Sequence, residues 1–209
     1  EMRQAYRTAE EQYEKFLEEL DVYHKDLDET ERLILQTARN FGECELKVPV
    51  GFADSIKKYI RFWQSTSRYK RAVLRAEKNN FAEVIKSELD RYFLPSQFFY
   101  MALQESDFDI RRSGPRTRYG IAKGVWQLIP QTAKHYGLVI GRLQHERRYD
   151  ATDERCDFVK STKAAVKYLN YIYTTEAQAS GLLVAASYNW GHNNVRRLIR
   201  RMPDNPRER

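Results

Sequence analysis

The sequence predicts an all-α protein, and three observations support this fold class. Only 9 glycines and 6 prolines occur among the 209 residues, so few positions break a helix. The helix-favouring residues Lys, Glu, Arg, Ala and Leu are abundant. Apolar residues recur at three- and four-residue steps along most of the chain. The length is sufficient for one domain with a substantial core and an appendage.

The net charge of +7 hides an uneven distribution along the chain. Residues 1–45 contain 13 acidic and 6 basic residues, whereas residues 46–209 contain 16 acidic and 30 basic residues. A basic domain of this size can meet nucleic acid, anionic lipid or another polyanion such as peptidoglycan. No nucleic-acid-reading motif accompanies the basic residues, so we do not expect nucleic acid as a partner.

Cysteine and histidine usage gives little indication of bound groups. Cys44 and Cys156 are too few to define a disulfide framework, and either one bridge or two unpaired thiols is compatible with them. The four histidines lie far apart without ligand spacing, so we expect no metal and no cofactor. No membrane span or signal peptide is present, and the chain begins at Glu1, so a targeting signal or membrane anchor of the parent protein would lie outside it.

Residues 1–45 are predicted to form a long acidic amphipathic helix, over residues 1–39, followed by a linker. An apolar seven-residue repeat includes Tyr6, Tyr13, Leu20, Leu27 and Ile34. Bulky tyrosines in the seam favour packing against the chain's own domain, and the alternative is pairing of residues 1–40 with a protein partner or a second copy. The glycines and proline of residues 41–51 place a boundary there.

Residues 46–94 are predicted to be a helical lead-in that packs on the domain that follows. Three helices are expected, over roughly residues 53–64, 67–79 and 80–92. Each has an apolar stripe, which is more typical of a core face than of a ligand site.

A short apolar helix then begins at Pro95 and carries Glu105 near its end. Phe98, Ala102 and Glu105 follow one another at steps of three and four, so the carboxylate lies on the apolar face. Burial and the negative end of the helix macrodipole both disfavour the ionised carboxylate, as a general acid requires. From this helix alone, a partly exposed glutamate at a helix end is the favoured explanation, so the rest of the chain must decide.

Four arginines follow in a predicted loop over residues 109–120, namely Arg111, Arg112, Arg116 and Arg118. A solvated charge run is the usual explanation, whereas beside a catalytic carboxylate such a loop would hold acidic groups of a substrate. Residues 124–133 then form a glycine-led turn and a helix that begins at Pro130.

The remaining sequence predicts three further helices. One covers residues 158–173, and residues 182–190 are apolar nearly all round, so we expect them to form the central buried helix. That helix ends in Tyr188 and Asn189, two hydrogen-bonding residues. The last helix carries four arginines, which suit either an anionic surface or simple solubility: Arg196, Arg197, Arg200 and Arg201.

Three blocks in this order resemble the lytic transglycosylases of the soluble-lytic-transglycosylase (SLT) type, whose domain is lysozyme-like. The blocks are Glu105-Ser-Asp-Phe108, Gly124-Val-Trp-Gln-Leu-Ile-Pro-Gln-Thr-Ala133 and Ala185-Ala-Ser-Tyr-Asn-Trp-Gly191. The resemblance covers about residues 95–200 and implies a lysozyme-like catalytic domain over residues 95–209 with a basic C-terminal helix. Residues 50–94 look like the lead-in of the membrane-bound lytic transglycosylase D subgroup.

The resemblance implies Glu105 as the sole catalytic acid and base. It also implies six substrate-binding or cleft residues: Ser106, Ser113, Trp126, Gln127, Tyr188 and Asn189. Ser113 is an imperfect match in a longer, more basic loop, Trp126 replaces a common Met, and Ser187-Tyr-Asn-Trp190 replaces the commoner Ala-Tyr-Asn-Ala. These departures suggest a divergent subgroup.

For function, the resemblance implies cleavage of peptidoglycan glycan strands between MurNAc and GlcNAc with formation of 1,6-anhydro-MurNAc. It also implies a periplasmic or otherwise extracytoplasmic, cell-wall-associated location. Two alternatives remain open: a muramidase-like hydrolase that uses water, and a non-catalytic cell-wall binding or assembly module.

Overall fold

The computed structural model describes residues 27–43, 50–175, 177 and 180–201, together with Thr8 and Gln12. It is mostly helical and confirms the all-α prediction. The helices are α1 (Glu29–Asn40), α2 (Phe52–Gln64), α3 (Arg68–Lys78), α4 (Phe81–Asp90), α5 (Phe99–Ser106), α6 (Pro130–His135), α7 (Phe158–Thr174), α8 (Gly181–Trp190) and α9 (His192–Ile199). Two short strands are also present, β1 (Ser113–Thr117) and β2 (Gly120–Lys123). None of the described helices is long and apolar enough to cross a membrane.

Helix α1 begins at Glu29 because Asp28 caps it. The Asp28 carboxylate accepts the Glu31 N–H at 2.9 Å, and the Glu31 carboxylate accepts the Asp28 N–H at 3.0 Å, which completes a capping box. Leu27 and Asp28 are not helical, so the expectation of one continuous helix over residues 1–39 is wrong at this point. The apolar heptad positions before Leu27 lie outside the described residues.

Residues 27–43 pack against the rest of the chain. Lys57 of α2 forms ion pairs with Asp28 at 2.6 Å and Glu31 at 2.8 Å. The Phe41 carbonyl accepts the Gly181 N–H at 2.7 Å, at the start of α8. A Cβ on Gly181 would lie 2.3 Å from the Phe41 ring, so only glycine permits this approach. These contacts support packing of α1 on its own domain, while pairing of residues 1–40 with a partner stays a hypothesis.

The central helix of the core is α7. Its buried residues are Ser161, Thr162, Ala164, Ala165, Val166, Tyr168, Leu169 and Ile172. Helices α4 and α8 pack against it. The expectation that residues 182–190 form the central buried helix is wrong, because α8 buries only Gly181, Val184 and Ser187. Leu182 and Trp190 of α8 are exposed, so its apolar composition does not reflect burial on all sides.

Residues 113–123 form an antiparallel hairpin, where the sequence predicted a loop. Arg116 pairs with Ile121 and Thr117 with Gly120, and a bulge lies between Ser113 and Arg116. Gly120 supplies the positive φ of +94° that the tight turn requires. Ile121 is buried, and its carbonyl accepts a hydrogen bond from Arg155 Nη1 at 2.7 Å.

Candidate active site

Glu105 lies in the last turn of α5, one residue before the helix ends. Phe98 and Ala102, on the same face, are buried, and the Glu105 side chain is itself partly buried. Burial removes water from the carboxylate and raises its pKa from 4.5 to about 7. As the sequence predicted, the Glu105 carboxyl group keeps its proton in a large fraction of molecules at neutral pH.

The raised pKa of Glu105 makes the stability of the protein depend on pH. Between about pH 4.5 and about pH 7 the folded state holds this proton and the unfolded state does not, so the free energy of unfolding falls as pH rises, by ~1.4 kcal/mol per pH unit.

We expect Glu105→Gln to be more stable than the wild type by about 3 kcal/mol at pH 8 and nearly equal to it at pH 4. Urea unfolding at both pH values measures this difference. Glu77→Gln serves as the control, because Glu77 is exposed on α3. Equal free energies of unfolding for wild type and Glu105→Gln at pH 8 would contradict the expectation.

The two aspartates nearest to Glu105 in sequence are engaged elsewhere. The Asp107 carboxylate accepts a hydrogen bond from Arg68 Nε at 2.7 Å. The Asp109 carboxylate accepts the Arg111 N–H at 2.9 Å. Neither aspartate carboxylate is free of partners, whereas burial raises the pKa of the Glu105 carboxyl group.

Helix α3 fixes the backbone immediately after Glu105. Asp107 and Phe108 both have positive φ values, +56° and +59°, which are unfavourable for residues with a side chain. Arg75 Nη1 donates to the Asp107 carbonyl at 2.6 Å, and the Arg68 guanidinium lies 4.4 Å from the centre of the Trp63 ring. The lead-in helices thus hold the end of α5. Sequence analysis missed Arg68 and Arg75, because no local pattern reveals a partner more than 30 residues away.

Ser106 connects the end of α5 to the turn at residues 124–127. Its hydroxyl donates to the Val125 carbonyl at 2.8 Å and accepts the Asp109 N–H at 3.2 Å. The residue is only 5% exposed. The assignment of Ser106 to substrate binding is therefore wrong for this structure, because its hydroxyl is buried and already bonded to backbone groups.

The turn at Gly124 to Gln127 brings Gln127 to the base of the hairpin. A Cβ on Gly124 would lie 1.7 Å from the Arg155 carbonyl oxygen, so this position requires glycine. Gln127 Nε2 donates to the Gly124 carbonyl at 2.7 Å and to the Arg112 carbonyl at 3.2 Å. Its Oε1 points toward Gly114 of β1. Gln127 as a whole is partly exposed, and its nitrogen fixes the turn.

Trp126 is a core residue and does not reach the surface. It is fully buried, and its Nε1 donates to Thr162 Oγ1 of α7 at 2.9 Å. The assignment of Trp126 to substrate binding is therefore wrong, because no atom of its ring can touch a sugar without rearrangement. Its contribution is to anchor the turn that carries Gln127.

Tyr188 joins α8 to the same turn. Its hydroxyl donates to the Trp126 carbonyl at 2.7 Å, and its ring lies 5.4 Å from the ring of Tyr168. Burial, followed by the nearby charge of Glu105, raises the pKa of the Tyr188 hydroxyl well above its usual value, so the group stays protonated. The structure thus brings Tyr188 into the electrostatic range of Glu105, and Asn189 follows it as an exposed residue.

The Ser187 hydroxyl is buried without a hydrogen-bond partner among the described residues. An unsatisfied buried hydroxyl costs free energy that an alanine at the same position avoids. We expect Ser187→Ala to stabilise the fold by about 1 kcal/mol. Thermal unfolding measures this change, with the exposed Ser96→Ala as a control expected to have little effect. A loss of stability in Ser187→Ala would indicate that the hydroxyl has a partner in solution.

A buried ion pair between Asp153 and Arg155 stabilises the turn at residues 124–127. Arg155 and Asp153 are fully buried and 2.7 Å apart. Arg155 Nη1 also donates to the carbonyls of Ile121 at 2.7 Å and Leu128 at 3.2 Å, which flank the turn on either side. Sequence analysis missed this pair, because the polar stretch that contains it gives no sign of burial.

Ser113 begins β1 and is partly exposed, one residue after the Arg112 carbonyl that Gln127 binds. Among the described residues, no group of three or more His, Cys, Asp or Glu side chains is placed to hold a metal. Cys156 is a buried free thiol whose pKa is raised by burial, and Cys44 lies outside the described residues.

The helical fold, with the partly buried Glu105 next to the Gly124 turn, is that of a lysozyme-like domain of the SLT type. The chain belongs to the transglycosylase SLT domain family, whose pattern matches residues 83–208. It is 32% identical over 160 residues to the membrane-bound lytic murein transglycosylase D of Escherichia coli (strain K12), and the match covers 75% of this chain and 31% of that protein. The protein of the same name from Escherichia coli O6:H1 gives the same values.

A further relative is a putative tributyltin chloride resistance protein of Alteromonas sp. (strain M-1), with 30% identity over 115 residues. That match covers 55% of this chain and 49% of the relative. The chain thus spans about a third of the length of the two Escherichia coli relatives and about half of the Alteromonas protein.

Proposed function

We propose that this domain is a peptidoglycan lytic transglycosylase that cleaves the β-1,4 bond between MurNAc and GlcNAc. The observation that carries the proposal is the state of Glu105, a partly buried carboxyl group with a pKa of about 7 whose neighbouring aspartates are bonded to arginine and backbone groups. Membership of the SLT family and the names of the Escherichia coli relatives support the same activity.

In the first step Glu105 acts as a general acid. Its proton passes to the glycosidic oxygen, the bond from that oxygen to C1 of MurNAc breaks, and the GlcNAc side leaves with a hydroxyl group. The carbonyl oxygen of the MurNAc N-acetyl group stabilises the positive charge that develops at C1. No protein nucleophile is required, which agrees with the engagement of Asp107 and Asp109.

In the second step the ionised Glu105 acts as a general base. It removes the proton from the MurNAc C6 hydroxyl, O6 bonds to C1, and 1,6-anhydro-MurNAc forms. Glu105 regains its proton, so the cycle closes without consuming water. The internal hydroxyl has a high effective concentration, and water must only be kept away from C1. The buried surroundings of Glu105 favour this exclusion.

The other residues of the site hold the cleft and contact the glycan. We propose that Gln127 Oε1, Ser113 and Asn189 form hydrogen bonds with the sugars, because each is at least partly exposed beside the turn. Tyr188 and Ser106 act through the backbone of the turn, since their hydroxyls bind the carbonyls of Trp126 and Val125.

Digestion of purified sacculi tests this function. We expect soluble muropeptides whose new ends resist borohydride, because an anhydro ring has no reducing group. Ends that borohydride reduces would indicate the muramidase-like hydrolase instead. Binding of sacculi without any soluble product, under conditions in which a known transglycosylase digests them, would indicate the non-catalytic binding module.

The substrate implies where the protein acts. We propose an extracytoplasmic, cell-wall-associated location with glycan strands as the main partner. Fractionation of cells that express the parent protein tests the location, and recovery only in the cytoplasmic fraction would contradict it.

A further inference from the structure

Two neighbouring segments carry an unusual concentration of arginine. Residues 110–120, which include most of the hairpin, contain Arg111, Arg112, Arg116 and Arg118 and no acidic residue. Residues 142–149 contain Arg142, Arg147 and Arg148 and one acidic residue, Glu146. All seven arginines are exposed. We call these seven residues the arginine surface, and with Glu146 its formal charge is +6.

Direct contacts join the two segments. Arg116 Nη2 donates to the His145 carbonyl at 2.8 Å. The Arg111 guanidinium lies 5.1 Å from the centre of the Tyr149 ring. The two arginine-bearing segments, which lie far apart in sequence, are therefore adjacent in the structure.

Buried groups hold this face in a fixed shape. Lys123 is fully buried, and its Nζ donates to the carbonyls of Leu143 at 2.8 Å and Arg148 at 2.9 Å. The Asp150 carboxylate accepts the Leu143 N–H at 3.0 Å. A preformed face loses less conformational entropy when it binds a ligand than a mobile loop does.

The arginine surface begins at the candidate active site. The Arg112 carbonyl accepts the Gly124 N–H at 2.9 Å and the Gln127 Nε2 at 3.2 Å, so the base of the hairpin and the turn beside Glu105 are one unit. A glycan bound at Gln127 would therefore lie near the base of the hairpin.

The arginines are nearly free of counter-charges. Within the described part of the chain, the only ion pair that any of the seven forms is Arg148 with Glu146, at 3.7 Å. Unpaired guanidinium groups attract anions, and their planar fork matches the two oxygens of a carboxylate.

We propose that the arginine surface binds the carboxylate groups of peptidoglycan peptide stems, so that the domain prefers glycan that still carries its peptides. This inference rests on the proposed function, because it takes peptidoglycan as the substrate. It assigns the hairpin and the segment 142–149 a role in choosing the substrate.

Binding to three soluble glycan samples tests the proposal: chains with peptide stems, chains stripped of peptides by an amidase, and peptide-bearing chains whose carboxylates have been converted to amides. The full chain with Glu105→Gln is used so that no cleavage occurs during the measurement. We expect at least about tenfold tighter binding to the first sample than to the other two, weakening as salt increases. Equal binding to all three samples overturns the proposal, and so does tight binding to the amidated chains.

A triple variant identifies the residues responsible. Arg118→Gln, Arg142→Gln and Arg147→Gln together should remove most of the preference for peptide-bearing chains. The matched control, Arg61→Gln, Lys70→Gln and Lys86→Gln, removes the same charge from exposed positions on α2, α3 and α4 and should keep the preference. Equal losses in both variants would show a general charge effect and overturn the proposal.

The catalytic proposal and the peptide-recognition proposal can be contradicted separately. If sacculi yield anhydro products but the binding preference is absent, the proposed function stands and the arginine surface has no role in peptide recognition. If no anhydro product forms but the preference is present, the recognition of peptide carboxylates stands and the catalytic proposal fails.

Discussion

Glu105→Gln is expected to lower peptidoglycan turnover by at least about a thousandfold, because in the proposed mechanism the same carboxyl group supplies the acid of the first step and the base of the second. Glutamine has nearly the same shape but neither donates a carboxylic proton nor accepts one. Release of soluble muropeptides from sacculi over time measures the loss. The variant should remain folded and, above pH 7, be more stable than the wild type, so inactivity cannot be attributed to unfolding. Retention of more than a tenth of the wild-type rate would remove Glu105 from this role.

The pH dependence of the wild type should reflect the same group. The first step of the proposed mechanism needs the protonated carboxyl group, and the pKa of Glu105 is about 7, so kcat/KM should fall as pH rises through that value. Glu77→Gln should retain the wild-type profile, because this residue is exposed on α3. A profile that stays flat from pH 5 to pH 9 would contradict the assignment.

Asp153→Asn is expected to destabilise the fold by about 3–5 kcal/mol, because it leaves the buried Arg155 guanidinium without its counter-charge. The two side chains are fully buried and 2.7 Å apart. The loss should also reduce activity, since Arg155 holds the carbonyls of Ile121 and Leu128 on either side of the Gly124 turn.

Urea unfolding of wild type and Asp153→Asn at pH 7 measures this effect. Lys160→Gln serves as the control, because it breaks the 2.6 Å ion pair with Glu154 in the same region, where Lys160 is largely exposed. Exposed ion pairs contribute at most about 1 kcal/mol. Equal, small losses in both variants would show that the Asp153–Arg155 pair does not stabilise the fold as proposed.

Sequence patterns predicted the helices well where the chain carries strong local signals. The helix after Gly124 begins at Pro130, and Gly137 follows its end with a φ of +86°. The Asp157 carboxylate caps α7 by accepting the Lys160 N–H at 2.9 Å. Such signals depend on residues within one turn of the helix end, so they are visible without the fold.

Features that depend on distant contacts were not predictable in the same way. The hairpin forms where only an arginine-rich loop was expected, and one of its contacts is with a residue far away in sequence, since Arg155 Nη1 donates to the Ile121 carbonyl at 2.7 Å. Apolar composition suggested a central position for α8, but composition alone does not reveal which neighbour covers a helix, and α7 occupies the centre.

In the candidate site, too, some features follow from local sequence and others depend on the fold. The position of Glu105 on an apolar face could be read from helical spacing, and the structure agrees. The motif also suggested Ser106 and Trp126 as substrate-binding residues, yet both are buried and bonded to Val125 and Thr162. A motif records which residues recur together, whereas burial determines which of them can touch a ligand.

The most direct test of the central proposal is digestion of sacculi in water enriched in heavy oxygen, followed by mass spectrometry of the new glycan ends. We predict 1,6-anhydro ends that contain no oxygen from the solvent, because O6 of MurNAc attacks C1 in place of water. One heavy oxygen atom at each new end would contradict this account and identify the protein as a hydrolase.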